Sequence, residues 1–174
     1  VTQLMAEPQS GKSAAIIYLA LKAIRDGDAT LVLLVINTEN RMLFETFLED
    51  ISRCFLQRDL ALWQSRLLLP FSIVTRDGPV LLPTQADVAK NFALYLKAME
   101  IMHLDLVDRA PVSLEDCGDG TWLGTFQTRL ISRGQLATAP YTSTGLLQLE
   151  GARFRMSSML NGRGHSEWTG VRDA

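Results

Sequence analysis

Leu67-Leu68-Leu69-Pro70-Phe71-Ser72-Ile73-Val74-Thr75-Arg76-Asp77-Gly78-Pro79-Val80-Leu81-Leu82 is the stretch on which the fold class turns. Apolar and β-branched residues run strand-like as far as Thr75, Asp77-Gly78 is a strong hairpin signal, and Val80 to Leu82 return. The segment reads as a tight β-hairpin. Two helical patterns precede it. Phe44, Phe47, Leu48, Ile51 and Phe55 recur at spacings of three and four over about 41–57, behind Thr38 or Asn40 as cap. Asp59 is placed to cap a second, shorter helix carrying Leu60 and Trp63. After the hairpin, Thr84 caps a third helix with Ala86, Phe92, Tyr95, Leu96 and Met99 inward. Long strands follow at about 101–114, 121–133, 137–149 and 153–160, broken at Cys117-Gly118-Asp119-Gly120, Arg133-Gly134 and Glu150-Gly151. Helices first and an antiparallel meander after them make an α+β pattern.

Composition bounds the function classes. A chain of 174 residues with 47% hydrophobic and 21% charged residues has the make-up of a folded globular domain, which excludes disordered and collagenous classes. A formal charge of -2 supplies no basic field for a nucleic-acid backbone, so nucleic acid is not an expected partner. Cys54 and Cys117 stand without nearby metal-ligand spacing, so no metal and no disulfide scaffold is expected, and a reducing cytoplasm fits best. No apolar run reaches the roughly 18 residues of a membrane helix, and no signal-peptide pattern follows Val1; no membrane partner is expected. A first residue other than Met fits a fragment.

Residues 1–40 differ in character from 41–174, the change falling at Asn37-Thr38-Glu39-Asn40. Leu4-Met5-Ala6 is short and apolar. Then comes Glu7-Pro8-Gln9-Ser10-Gly11-Lys12-Ser13, a helical pattern with Ile17, Leu21 and Ile24 on one face, and Gly27 as its stop. Thr30 to Ile36 is continuously apolar, as expected of a parallel strand buried on both faces. Together they read as one β-α-β unit. Ala6 to Ser13 fits the phosphate-loop pattern with Ala in place of the first Gly. Loop N–H groups would surround phosphate oxygens, Lys12 would reach the β and γ phosphates, and Ser13 would ligate Mg²⁺. The segment resembles the first β-α-β of phosphate-loop NTPases, and of a superfamily-two helicase core in particular. Hydrolysis also needs an acidic residue ending a second apolar strand, and none appears downstream. Nucleotide binding at Gly11, Lys12 and Ser13 therefore stands beside a remnant or extension in which Lys12 is an ordinary solvated lysine.

The order helix, short helix, hairpin, helix, long antiparallel strands resembles the nuclear transport factor two-like superfamily, including its SnoaL-like branch, over about 41–170. The resemblance is carried by the hairpin Phe71 to Gly78, the helix end Tyr95-Leu96-Lys97-Ala98-Met99 and the terminal strand Arg153-Phe154-Arg155-Met156-Ser157-Ser158. Leu160-Asn161-Gly162-Arg163-Gly164-His165 is similar to the end of the last strand in a group of small bacterial members. It implies a cone of three helices on a curved antiparallel sheet, a pocket at the wide end, no cofactor, and a homodimer packed through the outer sheet face. Members of the superfamily include isomerases, dehydratases, epoxide hydrolases, polyketide cyclases and non-catalytic binding domains, so fold alone does not give function. In its ketosteroid isomerase branch an Asp base works with a Tyr and a protonated Asp. Helix 41–57 contains no Tyr, so that site is not carried over.

An acid–base reading needs a base. His103 alternates with Asp105 along the expected strand 101–114, about 7 Å apart, and Met102, Leu104 and Leu106 form the opposite face, the better core set. His165 lies in the tail with Asn161, Arg163, Glu167 and Trp168, where a chain of this fold passes the pocket mouth; a solvated tail is the plainer reading. Trp63, Phe71, Tyr95 and Met99 are expected in pocket or core. Strand 121–133 alternates Trp122, Gly124, Phe126, Thr128 and Leu130 against Leu123, Thr125, Gln127, Arg129 and Ile131. If the second set faces in, Arg129 is a buried cation in need of an anionic partner or ligand, and the pattern leaves that register open. Tyr141, Thr142, Ser143 and Thr144 can add hydroxyls to the same wall. The expectation is a small-molecule-binding or accessory domain with an apolar pocket, against a cofactor-free SnoaL-like lyase or isomerase, or nucleotide binding at 6–13.

Overall fold

The structure, a computed structural model, describes residues 18, 19, 21, 22, 25–27, 29–164 and 167, with the backbone alone at 29–37. The chain divides between Leu43 and Phe44 into two compact units. The phosphate-loop residues Gly11, Lys12 and Ser13 lie outside the described residues, as does His165. Of the helix expected before Gly27, residues 18, 19, 21, 22, 25 and 26 are described and helical.

Helix α1 runs from Ala29 to Leu56, so Thr30 to Ile36, read as a strand, is helical, and Thr38 and Asn40 are helix interior rather than caps. The cause is plain in retrospect. A continuous apolar run fits a doubly buried strand and a buried helix equally well, and no Gly or Pro interrupts the chain between Ala29 and Leu56. Helix propagation adds one hydrogen bond per residue fixed, whereas a strand needs a partner.

Arg58 ends α1. It adopts φ 57°, its N–H donates to the Phe55 carbonyl at 3.3 Å, and the Asp59 N–H donates to the Cys54 carbonyl at 2.8 Å. This is a Schellman stop. Asp59 then caps α2 (Leu60–Ser65), accepting from the Leu62 N–H at 2.9 Å. The hairpin follows as β1 (Leu67–Thr75) and β2 (Gly78–Leu82), with Arg76 and Asp77 in the turn and Thr75 opposite Gly78. Thr84 and Asp87 form a reciprocal capping box at the start of α3 (Gln85–Ile101). The long strands are β3 (Leu106–Gly118), β4 (Thr121–Ser132), β6 (Tyr141–Glu150) and β7 (Arg153–Asn161), with a short β5 (Gln135–Leu136) against β4.

All pairs are antiparallel except β1 with β7, and the sheet order is β2-β1-β7-β6-β4-β3. Pro79 and Pro111 fall on β2 and β3, the two edges, where a missing ladder N–H is tolerated. On β4, Trp122, Gly124, Phe126, Thr128 and Leu130 are buried while Leu123, Gln127 and Arg129 are exposed, which settles the open register. The core lies between this inner face and the helices. Phe55 stacks near Trp63 and Phe92, with ring centroids 5.1 and 4.9 Å away. Gly124 and Gly145 face each other across β4 and β6. A Cβ on Gly124 would come within 2.6 Å of the Phe44 ring, so the missing side chain is what lets α1 approach the sheet.

Candidate functional site

Register places the polar side chains of the inner face. Arg109 of β3 pairs with Thr128 of β4, and Thr128 pairs with Tyr141 of β6, so the three stand side by side across adjacent strands on one face. One step along, Ser143 of β6 pairs with Asn161 of β7, and its Oγ donates to Asn161 Oδ1 at 3.1 Å. These five residues all line one cavity between the sheet and the helices. Its empty volume is about 520 Å³ counted out to the mouth, and it is narrow, with little of it wide enough for a water-sized sphere. The remaining wall is largely apolar: Ile51 and Phe55 from α1, Trp63 from α2, Met99 from α3, and Phe126 and Met159 from the sheet.

Arg109 is the charged group of the cavity. Nη1 donates to the Ile51 carbonyl at 2.9 Å and to Ser52 Oγ at 3.1 Å, and the guanidinium carbon lies 5.7 Å from the centre of the Phe55 ring. Among the described residues no carboxylate forms an ion pair with it; its sequence neighbour Asp108 pairs with Arg129 instead. Burial pushes the Arg109 pKa down, and Tyr141, Cys54, Tyr95 and the Asp108 carboxylate lie in electrostatic range and oppose it. Burial likewise pushes the Tyr95 hydroxyl up and the nearby Cys54 thiol up to about 12. Trp63, which is 3% exposed, has a buried Nε1–H with no acceptor among the described residues. Among the described residues, the ionisable side chains lining the cavity are Arg109, Tyr95 and Tyr141, with no Asp, Glu or His.

The structure gathers Trp63, Tyr95 and Met99 into this wall, while Phe71 is fully buried behind it, 6.3 Å from the Trp63 ring. Tyr141 and Ser143 face the cavity; Thr144 faces outward, where it hydrogen-bonds Thr125 at 3.0 Å. Arg129 is on the outer face, exposed and paired with Asp108 through Nε at 2.7 Å, so the inward cation considered for β4 is instead Arg109 on β3.

His103 and Asp105 are not a strand pair. Helix α3 continues to Ile101, and His103 ends it with φ 51°, its N–H donating to the Glu100 carbonyl at 3.1 Å while the Leu104 N–H donates to Met99 at 3.0 Å. His103 is the left-handed residue of a second Schellman stop, a conformation His visits more readily than most. Asp105 Oδ2 accepts the Arg133 N–H at 2.7 Å. Both are exposed and outside the cavity. Because the strand begins only at Leu106, its inward parity is Val107 and Arg109, and Leu106 of the expected core set is 43% exposed. Alternation counted through the helix stop gave the wrong face and hid Arg109; the pairing of an apolar Val107 with a polar Arg109 carries no signal of its own.

No protein-family profile and no curated protein matches the sequence. Solved structures do. A protein of unknown function similar to nuclear transport factor two, from Shewanella oneidensis, superposes with a TM-score of 0.57 at 9% identity, covering 71% of this chain and 99% of its own. A domain of unknown function with a cystatin-like fold from Nostoc punctiforme gives 0.55 at 12%, covering 71% and 76%. The fold is nuclear transport factor two-like. A ketosteroid isomerase-like protein from Erwinia carotovora shares it, with a TM-score of 0.51 at 9% identity over 70% of this chain and 93% of its own. Identities this low speak for the fold alone. No helix among the described residues is long and apolar enough to cross a membrane.

Proposed function

We propose that the chain is a small-molecule-binding or accessory domain of the nuclear transport factor two-like superfamily, holding its ligand in the cavity between sheet and helices. The observation that carries this reading is the lining itself: an apolar wall with a few hydrogen-bonding groups and, among the described residues, no carboxylate or imidazole to move a proton near neutral pH. A lyase or isomerase would need such a base in contact with substrate; His103 and Asp105 lie outside this cavity, on a more open surface pocket, and His165 lies outside the described residues. Two free thiols, Cys54 and Cys117, suit a reducing compartment such as the cytoplasm. The domain acts as a homodimer through the outer face of its sheet.

The binding reading is tested by labelling the methionine methyls with carbon-13 and titrating cinnamamide, a small neutral aromatic. Shifts centred on Met99 and Met159, which line the cavity, are expected, with Met102 undisturbed. Saturable binding that leaves both lining methyls unmoved, or no binding at millimolar ligand, overturns it.

A further inference from the structure

We infer that the cavity takes a small carboxylic acid, its carboxylate bound at Arg109 beside Thr128 and Tyr141 and its apolar body lying toward Phe55, Trp63 and Met99. The inference rests on the binding reading above and names the ligand class of that same site.

Three observations converge. Arg109 is a largely covered cation whose hydrogen bonds to two neutral acceptors, the Ile51 carbonyl and Ser52 Oγ, come from one of its three nitrogens, Nη1. A cation withdrawn from water costs free energy unless an anion meets it, and among the described residues none does so here. The two acceptors and the Phe55 ring hold the guanidinium in place before a ligand arrives, so little side-chain freedom is lost on binding. Register then sets two hydroxyl-bearing residues, Thr128 and Tyr141, in one row with Arg109, so the polar groups of this wall are donors to an acceptor or can become so. Trp63 adds a buried N–H with no acceptor among the described residues, none of which brings a carboxylate to this wall. A planar carboxylate matches the guanidinium fork and accepts from the hydroxyls as well. The apolar remainder of the wall is rich in rings, which favours a hydrocarbon body over a sugar or a nucleotide.

The experiment compares cinnamate with its carboxamide isostere, cinnamamide, on the full chain at pH 7, by calorimetry and by the methionine methyl shifts. Cinnamate is expected to bind at least tenfold more tightly, and Arg109→Gln is expected to bring the ratio near one while cinnamamide affinity changes little. Equal binding of the two by the unaltered protein overturns the carboxylate assignment and leaves the pocket reading standing. Binding of neither overturns the pocket reading and this inference with it. If Arg109→Gln does not fold, Tyr141→Phe is the second variant: a preference for cinnamate reduced several-fold supports the site. A preference unchanged in every variant that folds places the carboxylate elsewhere and overturns it.

Discussion

At the scale of single residues, His103 and Cys54 show how location decides what a reactive-looking side chain does. His103 is the natural base of the sequence, yet its backbone is the left-handed turn that stops α3. Glycine adopts that conformation without the Cβ penalty. His103→Gly is therefore expected to raise stability by about 0.5–1 kcal/mol in a denaturant melt and to leave cinnamamide binding intact. A loss of binding would mean that the imidazole serves the cavity after all. Cys54 is fully buried and Cys117 exposed. A thiol pushed up to about 12 stays protonated at neutral pH, so a maleimide should label one cysteine in the native protein and two after denaturation. The sign for stability follows from the same shift. The native state holds the Cys54 proton more tightly than the unfolded chain, whose thiol titrates near 9.0, so stability is unaffected below that value and declines as pH rises from about 9 toward 12. Melts from pH 7 to 11 check this, with a shallower alkaline decline expected for Cys54→Ala.

At the scale of elements, the two Schellman stops, the capping box and the edge prolines are local devices. Asp59, Thr84 and the turn at Arg76-Asp77, closed by Gly78, could be placed from sequence because each acts through backbone groups within a few residues of itself. The start of α1 could not. Thr30 to Ile36 has no alternation and no breaker, and its conformation depends on what surrounds it. Between elements, the contact of α1 with the sheet depends on Gly124. A methyl at Gly124 would meet the Phe44 ring at 2.6 Å and a Leu147 methyl at 2.7 Å, both fully buried. Gly124→Ala is accordingly expected to cost about 1–3 kcal/mol through overpacking. A chemical melt of that variant showing no loss would mean that α1 shifts freely over β4.

At the scale of the whole molecule, the outer face of the sheet carries partly exposed apolar side chains. Leu123 and Leu146 face each other in register across β4 and β6, with Leu160 on the adjacent β7, and the three are 36%, 38% and 58% exposed. Pairing two such faces across a twofold axis would bury them, and a stable contact needs about 1,000 Å² or more in total. Light scattering is expected to return a dimer, and Leu146→Glu a monomer that still melts cooperatively; a monomeric unaltered chain would remove the interface. The sequence by itself determined the α+β class, the three-helix order, the hairpin and the caps at Asp59 and Thr84, because periodicity and turn chemistry are properties of neighbouring residues. It did not determine which face of a strand looks inward. Trp122, Phe126 and Leu130 are no better a core set on paper than Leu123 and Ile131, and nothing in the alternation of β3 marks Arg109 for burial rather than Arg129 of β4. Only tertiary pairing made the choice, because strand register is fixed by partners far away in the chain: Arg109 meets Thr128, and Thr128 meets Tyr141. The cavity and its cation exist through those long-range pairs, and for that reason they could not be read along the chain.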